Sequence, residues 1–149
     1  MIEYIIKPLQ GCGNIMFGQT IQELTSMLGE AEEIDHLDTD DDMTTVVLHY
    51  WEDGLSVFFE GASKNVISCF ETDHPDSTLF GKKVFELKKD EIINLMQENG
   101  FKELEVEEEE GETRLTFEDG LIDFFYDEEE LLAVNWGVII DEDGEIIND

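Results

Sequence analysis

Apolar residues follow two kinds of pattern along the chain. Two short stretches carry them on a helical period, with Ile21, Leu24 and Leu28 in one and Ile92, Leu95 and Met96 in the other. The first is preceded by Thr20-Ile-Gln-Glu23, a capping-box pattern in which hydroxyl and carboxylate satisfy orphan backbone N–H groups. Gly29 follows it, suited to a left-handed terminating residue. The second has Asp90 and Glu91 in its first turn, where the helix dipole favours anions, and ends at Gly100. Helices this short depend on packing for their stability. Elsewhere, β-branched and aromatic runs bounded by turn residues predict strands. These fall near 31–36, 44–51, 55–60 and 65–71 after the first helix, and near 101–107, 112–117, 121–126 and 131–140 after the second. Asp53-Gly54 and Asp119-Gly120 read as hairpin turns. Residues 2–6 predict a strand at the start and 146–147 a short one at the end, with loops at 38–42 and 74–78.

The hairpins also repeat each other. Residues 52–59, EDGLSVFF, and 118–125, EDGLIDFF, agree at six of eight positions. Continued without gaps, the alignment sets Trp51 against Phe117, Val66 against Leu132, Phe70 against Trp136 and His49 against Leu115. Phe17-Gly18 matches Phe80-Gly81 once an insertion is allowed. This pattern predicts an α+β fold forming a single domain over 1–149. It would arise by tandem duplication of a helix plus antiparallel β-sheet unit, at about 16–79 and 80–140, each sheet carrying its helix on one face.

A helix followed by four antiparallel strands, doubled in tandem, resembles the β-lactamase-inhibitor-protein-like group, whose single-copy relatives include the SmpA/BamE lipoproteins. The opening Gly11-Cys-Gly-Asn-Ile-Met-Phe-Gly-Gln-Thr20 is also similar to the start of a set of small acidic bacterial proteins. Members of the inhibitor group grip a partner protein with the sheet face, so the resemblance implies protein binding.

Charge narrows the partners. Thirty-nine acidic residues against eight basic ones give −31 at neutral pH, yet 41% of residues are apolar, enough for a folded core under an acidic shell. Such a surface repels phosphate backbones and anionic headgroups, which argues against direct nucleic-acid binding and against a membrane partner. The opening segment, with Glu3 and Lys7 inside its apolar stretch, does not read as a secretory signal, and no run reaches transmembrane length. Cys12 and Cys69 have no metal or redox spacing, and the expectation is a cytoplasmic protein with free thiols.

No residue set carries a catalytic, metal or cofactor signature. Gly11-Cys12-Gly13 lacks the lysine and hydroxyl of a phosphate loop and reads as a turn. Asp38–Asp42 spaces carboxylates like a calcium loop, but Met43 and His49 stand where glycine and glutamate belong. Asp141–Glu145 shares that look. Glu107–Glu110 and Asp127–Glu130 read as solvated hairpin tips or as docking surfaces for a basic partner. His36, His49 and His74 fit no short zinc motif. His49 is expected on a partly apolar strand face, and no Ser–His–Asp set can be read from residue order.

The aromatic runs carry the functional reading. In Ser56-Val57-Phe58-Phe59 and Asp123-Phe124-Phe125-Tyr126, apolar residues occupy both strand parities, whereas one helix-covered face needs only one. The surplus must meet the other repeat, another subunit or a partner. The expected function is a non-enzymatic protein-binding module, an inhibitor or immunity protein that neutralises a basic partner, with Tyr50, Trp51, Phe59 and Trp136 as candidate anchors. The alternatives are a carboxylate-based hydrolase, or a structural homodimer subunit of no independent activity.

Overall fold

The computed structural model describes residues 3–38, 44–61, 65–141 and 145–147. Ile2, most of the acidic loop at 38–42, and 142–144 of the C-terminal turn lie outside them. Strands β1 (Ile5–Lys7), β2 (Gly11–Cys12) and β3 (Ile15–Met16) precede helix α1 (Ile21–Leu28). Strands β4 (Glu33–Asp38), β5 (Thr44–Tyr50), β6 (Leu55–Gly61) and β7 (Val66–Thr72) follow, then β8 (Thr78–Leu79), β9 (Lys82–Lys83) and helix α2 (Lys89–Glu98). The chain closes with β10 (Leu104–Glu109), β11 (Glu112–Phe117), β12 (Ile122–Asp127), β13 (Glu130–Gly137), β14 (Ile139–Ile140) and β15 (Ile146–Ile147).

The capping box at α1 forms as its sequence dictates: the Glu23 amide donates to Thr20 Oγ1 at 3.2 Å and the Thr20 amide to Glu23 Oε1 at 3.1 Å. Gly29 follows at φ 83°, where a side chain would be strained. At α2 the Lys88 amide donates to Glu91 Oε1 at 3.0 Å.

The architecture corrects the expected α+β tandem of helix-plus-sheet units. The fold is mainly β, with two helices of 8 and 10 residues, and the strands after each helix do not form separate sheets. They join in one eight-stranded antiparallel sheet, ordered β10-β11-β12-β13-β7-β6-β5-β4. The β13–β7 pair, with Trp136 opposite Phe70, satisfies two strand edges that separate sheets would leave unpaired. A second, five-stranded sheet, β3-β2-β1-β8-β9, includes a parallel β1–β8 pair, and β14 pairs with β15.

The ungapped alignment is also out of step with the fold. In the first hairpin, Tyr50 pairs with Leu55 around a short 3₁₀ turn whose Gly54 takes the left-handed conformation at φ 63°. In the second, Phe117 pairs with Ile122, and Leu121, not Gly120, takes that conformation at φ 50°. The same tetrapeptide thus closes one residue later, and a one-residue slip sends every side chain to the opposite face. Trp51 is 55% exposed whereas Phe117 is fully buried.

One core cluster joins all parts. Leu24 of α1 and Ile92 and Met96 of α2 pack with Leu48, Val57, Phe70, Leu115, Phe124, Val134 and Trp136 of the large sheet and with Ile6, Ile15 and Leu79 of the small one. The helices and the small sheet therefore lie on the same side of the large sheet. Its edge strands are blunted by acids, Glu33 and Asp35 on β4 and Glu105, Glu107 and Glu109 on β10, which opposes edge-to-edge pairing. Because this carboxylate shell repels itself, raising NaCl to about 0.5 M is expected to raise Tm by screening. Calorimetry across that range checks it, and an unmoved Tm would remove repulsion as a term in stability.

Candidate functional site

Alternation along the strands places the residues of the opposite parity on the face that the helices and the small sheet leave open. Cross-strand pairing draws a continuous polar row across it: Glu105, Thr116, Asp123, Asn135, Glu71, Ser56, His49 and Glu33, one residue from each strand. Thr116 Oγ1 donates to Asp123 Oδ1 at 2.5 Å, and the Cys69 thiol donates to Asn135 Oδ1 at 3.1 Å. The half-buried rings of Phe58 and Phe125 flank the row, as surplus apolar residues at both parities imply.

At the β4–β5 end, His49 is the hub. One ring nitrogen, Nε2, lies 2.8 Å from Asp35 Oδ2 and the other, Nδ1, lies 2.8 Å from Ser56 Oγ. Trp51 stacks on the imidazole at 4.2 Å, nearly parallel at 7°. Beside it, Trp51, Ser56, Glu71, Asp73 and Ala133 line a shallow recess of about 80 Å³. Among the described residues, Glu33, Asp35 and His49 are the ones that could hold a metal, each offering a ligand atom within 4.8 Å of the others. At the β10 end, the Arg114 guanidinium bonds Glu107 at 2.7 Å above a 360 Å³ pocket lined also by Glu109, Glu112, Phe125 and Leu132. Glu118, in open solvent nearby, has its carboxyl pKa raised by the Glu105 carboxylate.

Of the four expected anchors, the structure leaves Trp51 exposed and buries the rest. Tyr50 donates its hydroxyl to the Gly29 carbonyl at 2.9 Å, and burial raises its pKa. Phe59 and Trp136 have no exposed surface, and the Trp136 indole N–H donates to the Gly11 carbonyl at 2.8 Å. Their parity points them at the helices. Gly11-Cys12-Gly13 is part of the β2–β3 hairpin, and burial pushes the Cys12 thiol up to about 12, as it does the Cys69 thiol. Neither is an activated nucleophile.

The histidines do not converge. His36 pairs with Val46 on the other parity from His49, and His74 stacks on Tyr4 at 3.8 Å. His49 itself sits on the polar face beside Ser56, not on the partly apolar face expected from alignment with Leu115. Its pairing with Ser56 was available in the sequence, since both lie next to the pair that closes the hairpin. Asp35 was not, because its register depends on β4–β5 pairing. The acidic runs at 107–110 and 127–130 are solvated strand ends with the turns that follow β10 and β12, and those turns approach each other, with the Glu128 amide donating to the Gly111 carbonyl at 2.8 Å.

Fold and site together define a mainly-β protein with an open, acidic sheet face. No family model and no curated protein matches the chain. Among solved structures it is similar to an extracellular protein containing an SCP domain from Bacillus anthracis str. Ames, at 14% identity and TM-score 0.49, over 89% of this chain and 47% of that one. The chain thus spans less than half the length of that protein. No family model or curated protein supports the likeness to the β-lactamase-inhibitor-protein group, and the strands do not form the separate helix-plus-sheet units expected from it. No helix of the described residues is long and apolar enough to cross a membrane.

Proposed function

We propose that this chain is a non-enzymatic protein-binding module whose open sheet face docks a basic partner, neutralising it in the manner of an inhibitor or immunity protein. One observation carries the reading: a polar, carboxylate-bearing row spans all eight strands of a face that the helices leave bare, with Trp51 exposed beside it. A large exposed aromatic gives a docking anchor, and a net charge of −31 steers cationic surfaces toward it. The same charge repels a second copy, so a homo-oligomer through this face is disfavoured. Both thiols serve as hydrogen-bond donors, a role that needs them reduced and favours a cytoplasmic setting.

The hydrolase alternative draws less support. Asp35, His49 and Ser56 are linked in series, but Ser56 is buried and paired on both sides within the β5–β6–β7 ladder, opposite His49 and Glu71. The carboxyl with a raised pKa, Glu118, stands in open solvent and not in an enclosed pocket.

Capture of basic proteins from the native cell, followed by affinity measurement on the purified pair, tests the docking reading. Trp51→Ala is expected to weaken binding by about 2 kcal/mol, roughly thirtyfold in Kd, without changing Tm. Glu71→Lys and Asp123→Lys should mainly slow association and flatten its salt dependence. A partner held equally by all three variants would place the interface elsewhere.

A further inference from the structure

The β4–β5 end of the open face carries metal-ligand chemistry that docking does not require. We propose that Glu33, Asp35 and His49 bind one divalent transition-metal ion of the Zn²⁺ class, whether or not a protein partner docks beside it. The ligands stand on a rigid ladder: Glu33 and Asp35 are two residues apart on one face of β4, and His49 lies directly opposite Glu33 on β5. Their ligand atoms already fall within 4.8 Å of one another, and His49 Nε2 is 2.8 Å from Asp35 Oδ2. Two atoms sharing an ion at bonds of about 2.0–2.2 Å lie roughly 3 Å apart, so an ion enters with small side-chain shifts.

The groups around the histidine suit the role. A metal-bound imidazole needs its second nitrogen held by a hydrogen bond, and Ser56 Oγ is 2.8 Å from Nδ1. A hydroxyl both donates and accepts, so Ser56 Oγ donates to Nδ1 while Nε2–H faces Asp35 and accepts from Nδ1–H once Nε2 is ligated. The stacked Trp51 ring fixes the imidazole plane. Two carboxylates offset a dication, and an imidazole among them favours Zn²⁺, Co²⁺ or Cu²⁺ over the all-oxygen preference of Ca²⁺ and Mg²⁺. The Asp35 side chain is 47% exposed, which leaves a coordination position toward solvent.

The test is calorimetric titration of the whole chain with Zn²⁺ in about 0.3 M NaCl plus excess Mg²⁺, which suppresses diffuse condensation on the acidic shell. A parallel titration follows quenching of Trp51 fluorescence by Cu²⁺, since that ring lies against the ligand histidine. One equivalent should bind, with quenching saturating at the same ratio. Glu33→Gln, at an exposed position that leaves folding untouched, and His49→Ala should each weaken Zn²⁺ at least about tenfold, and Ser56→Ala by a smaller factor. Glu109→Gln, at the far end of the face, should change nothing. Non-saturating uptake, or equal affinity in the wild type and Glu33→Gln, would overturn the site.

Discussion

Truncating Trp136 to alanine is expected to cost about 4 kcal/mol of stability, within the ~3–5 kcal/mol found for large buried aromatics. The side chain has no exposed surface and stands opposite Phe70 at the β13–β7 seam, with the rings stacked at 5.4 Å. Its indole N–H also donates to the Gly11 carbonyl at 2.8 Å, in the small sheet. One residue therefore ties together both halves of the large sheet and the hairpin packed on it. Gly11 is part of the device, because a Cβ there would collide with the Ile15 backbone carbonyl. Trp136→Phe separates the contributions: it keeps most of the packing and removes the hydrogen bond to the Gly11 carbonyl, at about 1 kcal/mol. Against a total stability of roughly 5–15 kcal/mol, the alanine variant stands near the edge of folding. Urea unfolding of both variants beside Trp51→Ala, expected within about 0.5 kcal/mol of wild type, checks the ranking. A loss below 1 kcal/mol for Trp136→Ala would mean that the seam is not part of the core.

That contrast between two tryptophans shows what the sequence made legible. Local signals held where they are complete within a few residues: the Thr20–Glu23 capping box, the turn after Tyr50 and the short strand at Ile146–Ile147 all form. The surplus of apolar residues in both hairpins was a sound sign of aromatic rings on the open face, where Phe58 and Phe125 now lie. Register was not legible. Glu-Asp-Gly-Leu can close a hairpin with the left-handed residue at glycine or one position later, and nothing local decides between Gly54 and Leu121. Three of the four candidate anchors, Tyr50, Phe59 and Trp136, are buried, and aromatic content says nothing about parity until register is known. The merging of the strands into one sheet rests on β7–β13 pairing between distant segments, which no short motif encodes. The Asp35–His49 contact has the same origin, since it appears only when β4 and β5 are in register.

Alkaline pH is expected to unfold the protein between about 9 and 12, through groups that burial keeps protonated. Burial first, and neighbouring carboxylates after it, push the Cys69 thiol from 9.0 up to about 12; burial does the same for Cys12. Tyr4 rises to about 12, by burial and then the Asp53 charge, and Tyr126 rises further by burial and then Glu91 and Asp90. The sign follows from proton counts. Each folded pKa exceeds its unfolded value, so at intermediate pH the folded chain holds a proton that the unfolded chain has lost. The stabilisation is complete below the unfolded values near 9 and 10 and disappears as pH rises toward the folded ones. Each thiol contributes a slope of about 1.4 kcal/mol per pH unit in that window, so the pair removes roughly 3 kcal/mol per unit. Two units suffice to exhaust an ordinary domain's stability. Glu118 acts on the acid side with the same sign: its carboxyl is raised by Glu105, so the stabilisation from its proton is present at low pH and lost as pH rises through its folded value. Urea midpoints measured from pH 7 to 11, in reductant and about 0.5 M NaCl to hold general repulsion constant, should fall steeply above pH 9. The Cys12→Ala, Cys69→Ala double variant should fall less steeply, by close to half. Midpoints that stay level to pH 11, or an unchanged slope in the double variant, would show that the buried thiols do not govern the transition.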